Sequence, residues 1–71
     1  MSTASFTAVV RQDDPWWIGW IEEVHGVNSQ GRTRDELLEN LKTALTEAIA
    51  MNRDEAKRAA GDLYEEVSIN P

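Results

Sequence analysis

Residues 33–49, TRDELLENLKTALTEAI, hold the strongest structural signal in the chain. Thr33 followed by Glu36 is a capping box: the threonine oxygen accepts a backbone N–H at the start of a helix, and the glutamate reaches back to the N–H of the cap itself. The pattern predicts a helix that begins at Arg34 and ends at Gly61. Apolar residues at spacings of three and four form a stripe that suits packing on a sheet, namely Leu37, Leu38, Leu41, Ala44, Leu45, Ala48 and Ile49.

Three short strands are predicted before the helix. Residues 5–12 show the period of two that is typical of a strand, and Asp13-Asp14-Pro15 supplies a turn. The second strand is Trp16-Trp17-Ile18-Gly19-Trp20-Ile21, which is apolar on both faces. Two glycines bracket a third, edge-like strand at residues 27–30.

A fourth strand is predicted after the helix, because residues 63–69 alternate again. Three strands joined by short turns form an antiparallel meander, and a right-handed crossover through the helix then delivers strand four beside strand one and parallel to it. We therefore predict an α+β fold of the order β-β-β-α-β. It has one four-stranded mixed sheet in the order 3-2-1-4, with one long helix on one face.

Length and composition narrow the class of protein. The chain has 71 residues, no cysteine, one histidine and a net charge of −6. We expect a single domain over residues 1–71, with residues 1–4 as a loose tail. The composition excludes disulfides and thiolate zinc sites, and the negative charge disfavours direct binding to nucleic acid. Neither a signal peptide nor a membrane-spanning segment is expected, so we predict a cytoplasmic protein with no metal and no cofactor.

One helix covers only one face of the predicted sheet, so the other face is left open. The open face carries either Trp16, Ile18 and Trp20 or the pair Trp17 and Ile21. Exposed apolar patches of this kind are typical of interfaces, and a domain of this size often needs a second copy for stability. We expect the tryptophan-lined face to be buried against a partner or within a homo-oligomer, a dimer or a tetramer.

Residues 22–41, EEVHGVNSQGRTRDELLENL, resemble the HicB family of antitoxin-like proteins. The similarity runs from about Phe6 to Ile49, and its most specific part is Gly31-Arg32-Thr33 with Glu36 and Asn40. The sequence departs from the family pattern at His25, where proline is frequent, and at Leu37, where alanine is frequent.

The resemblance implies a partial ribonuclease-H-like fold and a role as an antitoxin. Family members bind a small basic ribonuclease toxin of the HicA type, which cleaves mRNA. Full HicB antitoxins commonly add a C-terminal DNA-binding segment. Because this chain ends at Pro71, we expect it to neutralise a toxin by protein–protein interaction without its own DNA-binding domain.

Two alternatives remain. The first is an orphan oligomeric scaffold or adaptor of the same fold, with no toxin partner. The second is a divergent metal-dependent nuclease that uses Glu36, Glu65 or Glu66, but two-metal chemistry needs converging carboxylates, and the first strand supplies none. His25 has no nucleophile or partner aspartate at a recognisable spacing, so we interpret it as a turn residue and expect no enzymatic activity.

Overall fold

The computed structural model describes residues 5–70, which form three strands and one helix. The elements are β1 (Ala8–Asp13), β2 (Trp16–Ile21), β3 (Asn28–Gly31) and α1 (Arg34–Ala60). The strands form one antiparallel sheet in the order β1-β2-β3. The loose tail predicted at residues 1–4 lies outside the described residues.

The prediction of a fourth strand is wrong. Residues 63–69 form neither strand nor helix, so the sheet within residues 5–70 has three strands and the four-stranded mixed order 3-2-1-4 is not formed. Alternation shows only that a segment is able to present one apolar face. A strand also needs backbone hydrogen bonds from a neighbour, and α1 carries the chain past the packed core before this segment begins.

The helix begins and ends at the predicted residues. Thr33 is the N-cap, and its Oγ1 accepts the N–H of Glu36 at 3.1 Å. The Glu36 carboxylate accepts the N–H of Arg32 at 2.6 Å, one residue before the donor that the capping box predicts. At the other end Gly61 has a φ of 88°, a left-handed conformation that glycine adopts at little cost.

The core lies between the sheet and the first half of α1. Leu37 and Leu41 are buried and cluster with Ile21 and Val27. Gly19 lies beneath Leu41, and a Cβ atom built on it would lie 3.1 Å from the Cδ1 atom of that leucine. The missing side chain at residue 19 therefore allows α1 to approach the sheet closely.

The second half of α1 extends beyond this core. Residues 50–70 are exposed throughout, and the molecule measures 50 × 27 × 15 Å along its principal axes. The chain exposes 6154 Å² of surface, whereas a compact monomer of 8.0 kDa exposes about 4,450 Å². Among the described residues, no helix combines the length and the apolar character that crossing a bilayer requires.

Candidate functional site: the open face of the sheet

The sheet face opposite α1 carries most of the tryptophan side chains. Alternation along β2 directs Trp16, Ile18 and Trp20 away from the helix, because Gly19 and Ile21 face it. The register adds neighbours from the two outer strands. We call this set the open face: Val9, Arg11, Trp16, Ile18, Trp20, Asn28 and Gln30.

The five residues that were predicted to form an interface lie on two different faces of the sheet. Trp16, Ile18 and Trp20 lie together on the open face, whereas Trp17 and Ile21 lie on the helix side. Ile21 is 8% exposed and belongs to the core, and Trp17 packs against that core. The surface available to a partner is therefore the first set.

Trp20 and Val9 form the apolar centre of the open face. They are directly opposite each other in the β1–β2 register, and cross-strand partners of this kind have Cβ atoms about 4.5–5.5 Å apart. Trp20 is 44% exposed and Val9 is 47% exposed. Two large apolar side chains thus lie side by side with their outer surfaces in water.

Trp16 is held at one end of the open face by a cation–π contact. The guanidinium carbon of Arg32 lies 4.8 Å from the centroid of the Trp16 ring. At an exposed site such a contact contributes about 0.5–1 kcal/mol. The contact orients the tryptophan and brings a positive charge to this end of the face.

Acidic pairs flank the β1–β2 hairpin at both ends. Asp13 is the last residue of β1 and Asp14 lies in the turn that follows it, and Glu22 and Glu23 follow the end of β2. All four residues are exposed. The four carboxylates at the two ends of the open face outnumber the guanidinium groups of Arg11 and Arg32, and this net negative charge favours a basic partner.

Glu23 also has a structural contact. Its carboxylate accepts the backbone N–H of Thr7 at 2.7 Å. This hydrogen bond stabilises the ionised form and lowers the pKa of Glu23 from its ordinary value of 4.5. Glu23 therefore fixes the start of the hairpin while contributing a negative charge at neutral pH.

Within residues 5–70 no group of three or more histidine, cysteine, aspartate or glutamate side chains converges in a way that would hold a metal ion. His25 is exposed in the turn between β2 and β3. The open face itself has an apolar centre and charged ends.

Four residues of the open face were not predicted as interface residues, namely Val9, Arg11, Asn28 and Gln30. Neither was Arg32, which lies beside Trp16. The signal for Val9 was present, since alternation already set it on the side of β1 opposite Ala8 and Val10. Arg32 gave no comparable signal, because its position beside Trp16 depends on the β2–β3 register that pairs Trp17 with Gly31.

No family model, no curated protein and no solved structure matches this chain. The resemblance to the HicB family stays a prediction.

Proposed function

We propose that this chain is an antitoxin-like protein that binds and neutralises a small basic ribonuclease toxin of the HicA type. The observation that carries the proposal is the open face, where Trp20 and Val9 form an exposed apolar centre between acidic pairs. A ribonuclease that binds RNA needs a basic surface for the phosphate backbone. The shape and charge of the open face suit such a surface.

Neutralisation would act by occlusion. The acidic pairs at the ends of the hairpin steer the basic toxin into contact and compete with RNA phosphates for its lysine and arginine side chains. Trp20 serves as the anchor, since tryptophan is enriched among the residues that dominate binding energy. The chain itself performs no catalysis and needs no cofactor, and it acts in the cytoplasm, where an mRNA-cleaving toxin finds its substrate.

The test is co-expression with the product of the neighbouring gene, followed by co-purification, growth rescue and a measured Kd. Trp20→Ala should weaken binding at least tenfold, because truncation of an anchor residue costs about 2 kcal/mol or more. Met51→Ala is the matched control: Met51 is 62% exposed, but it lies on α1, away from the open face. It should leave the Kd unchanged.

Two results would contradict the proposal. The first is that the neighbouring product is not toxic or does not bind the chain. The second is that Trp20→Ala binds as tightly as the unmodified chain while its circular dichroism and melting temperature are unchanged, which would remove the open face from the interface.

A second candidate is an oligomeric scaffold of the same fold with no toxin partner. The observation that favours it is the large apolar exposure outside the open face, at Leu63, Val67 and Ile69. Under this alternative the chain purifies as a stable oligomer, and no growth rescue is seen with any neighbouring gene.

A further inference from the structure

The two edges of the sheet differ in how well they are covered. β3 is a strand of four polar or small residues, NSQG. The side-chain amide of Asn40 on α1 donates to the carbonyl of Gln30 at 2.8 Å. The helix thus satisfies a backbone group of this edge, and short polar strands are poor templates for further pairing.

The outer edge of β1 has no such cover. The N–H of Glu22 donates to the carbonyl of Thr7 at 2.9 Å, so every second residue from Thr7 directs its backbone polar groups toward β2. The residues between them, Ala8, Val10 and Gln12, direct theirs outward, and no other strand within residues 5–70 pairs with them. β1 has no proline, and its charged residues Arg11 and Asp13 are among those that direct their backbone groups toward β2.

Residues 63–69 have the pattern of a strand and no partner. The apolar residues of one face of this segment are separated by even numbers of positions, as in a strand. Their side chains are largely exposed: Leu63 95%, Val67 71% and Ile69 84%. None of its apolar positions belongs to the hydrophobic core or packs against it. Burial of such exposed apolar side chains against a partner is favourable, because it removes apolar surface from water.

We propose that these two features meet between two copies of this chain. Residues 63–69 of one copy pair along the outer edge of β1 of the second copy, and the second copy does the same in return. Within a single chain the segment stays unpaired, as the structure shows. A reciprocal exchange of this kind closes into a twofold dimer and leaves the open face accessible to another partner.

Surface area favours a second copy as the occupant, and β1 offers one basic side chain to the acidic segment. The chain exposes about 1,700 Å² more than a compact monomer of its mass, and a standard interface buries about 800 Å² from each partner. Residues 63–69 carry Glu65 and Glu66 and no basic residue, and β1 carries Arg11 and Asp13. Arg11 is therefore the basic side chain of β1 that pairing would bring near the two glutamates.

The first experiment measures the monomer–dimer equilibrium by analytical ultracentrifugation. Val67→Asp should weaken dimerisation at least tenfold, because it places a charge on the face of the segment that carries Leu63, Val67 and Ile69. Ser68→Asp is the matched control, with the same added charge at the next position, and it should change the dimer Kd by less than threefold. Both positions are exposed, so circular dichroism should show the unmodified helix in each variant.

A second experiment locates the contact and distinguishes pairing between chains from pairing within one chain. A spin label on Ser68→Cys is unique, because the chain has no cysteine. Labelled chain is mixed with ¹⁵N chain that carries no spin label, and the amide signals of Ala8–Asp13 in the ¹⁵N chain should broaden.

Three results would overturn the inference: a monomer at every concentration tested, equal dimerisation of Val67→Asp and Ser68→Asp, or a dimer whose β1 signals stay sharp. None of these measurements involves a toxin. The dimer proposal can therefore fail without affecting the proposed toxin binding, and toxin binding can fail without affecting the dimer proposal.

Discussion

Replacing Gly31 by alanine should destabilise the protein severely, because Gly31 is where the sheet meets the start of α1. A Cβ atom at this position would lie 2.6 Å from the backbone nitrogen of Leu37 and 3.1 Å from its Cα. The first distance is about 1 Å shorter than a normal contact. The obstructing atoms belong to the helix backbone, so a change of rotamer cannot relieve the clash.

The cost follows from two contributions. Overpacking in a well-filled region costs about 1–3 kcal/mol, and a rigid backbone neighbour favours the upper part of that range. Displacing the first turn also disturbs the bonds between Thr33, Glu36 and Arg32, and loss of a cap costs about 1 kcal/mol. We expect a total of about 2–4 kcal/mol, close to the ~3–5 kcal/mol that a single small core supplies.

The assay is urea and thermal unfolding followed by circular dichroism and by tryptophan fluorescence. We expect Gly31→Ala to lower the melting temperature by at least about 10 °C. Gly26→Ala is the control: its φ of 84° imposes backbone strain, but nothing lies within 4 Å of the added methyl group. That strain costs about 1–2 kcal/mol. If Gly31→Ala were no more harmful than Gly26→Ala, the steric argument would be refuted.

Two further predictions concern the hydrogen bonds at the helix start and at the start of the hairpin. Thr33→Ala should lower the free energy of unfolding by about 1 kcal/mol in urea titrations, whereas Thr33→Ser, which keeps the accepting oxygen, should restore most of it. The contact from Thr7 lowers the pKa of Glu23 in the folded state. The stability it contributes is therefore fully present above the ordinary value of 4.5 and is lost as pH falls through the lower folded pKa. Unfolding measured from pH 6 to pH 2 should show a shallower acid-induced loss for Glu23→Gln than for the unmodified chain, with Glu22→Gln as the control.

Local patterns in the sequence predicted the elements that local interactions determine. The capping box at Thr33 and the glycine at residue 61 predicted both ends of α1, because each acts on backbone groups within one turn. The turn predicted at Asp13-Asp14-Pro15 is formed by Asp14 and Pro15, because Asp13 is the last residue of β1. These features depend on neighbours in the chain, which a single sequence contains.

The sheet face that packs on α1 is marked in the sequence by a glycine. Both faces of β2 are apolar, so hydrophobicity alone left two sets of residues open. Gly19 lies on the same face as Trp17 and Ile21, and its missing side chain marks the face that Leu41 approaches. A glycine within an apolar strand is a recognised indication of close approach by another element.

The absence of the predicted fourth strand could not be read from the segment itself. Leu63, Val67 and Ile69 have the alternation of a strand, but whether a strand forms depends on the backbone of a partner. The length of α1 decides which partners are in reach. No pattern within residues 63–69 records that information.

The length of α1 relative to the core also sets up a gradient of amide hydrogen exchange along one helix. Amides near Leu37 and Leu41 open only when the whole core opens, so their protection reports the global free energy of unfolding. Residues 50–60 pack against nothing in the core, and an isolated helical segment of this length is marginal in water. Their amides should exchange through fraying from Ala60 backward, at rates nearly independent of mutations in the core. A single helix would thus contain one end that unfolds with the sheet and one that unfolds by itself.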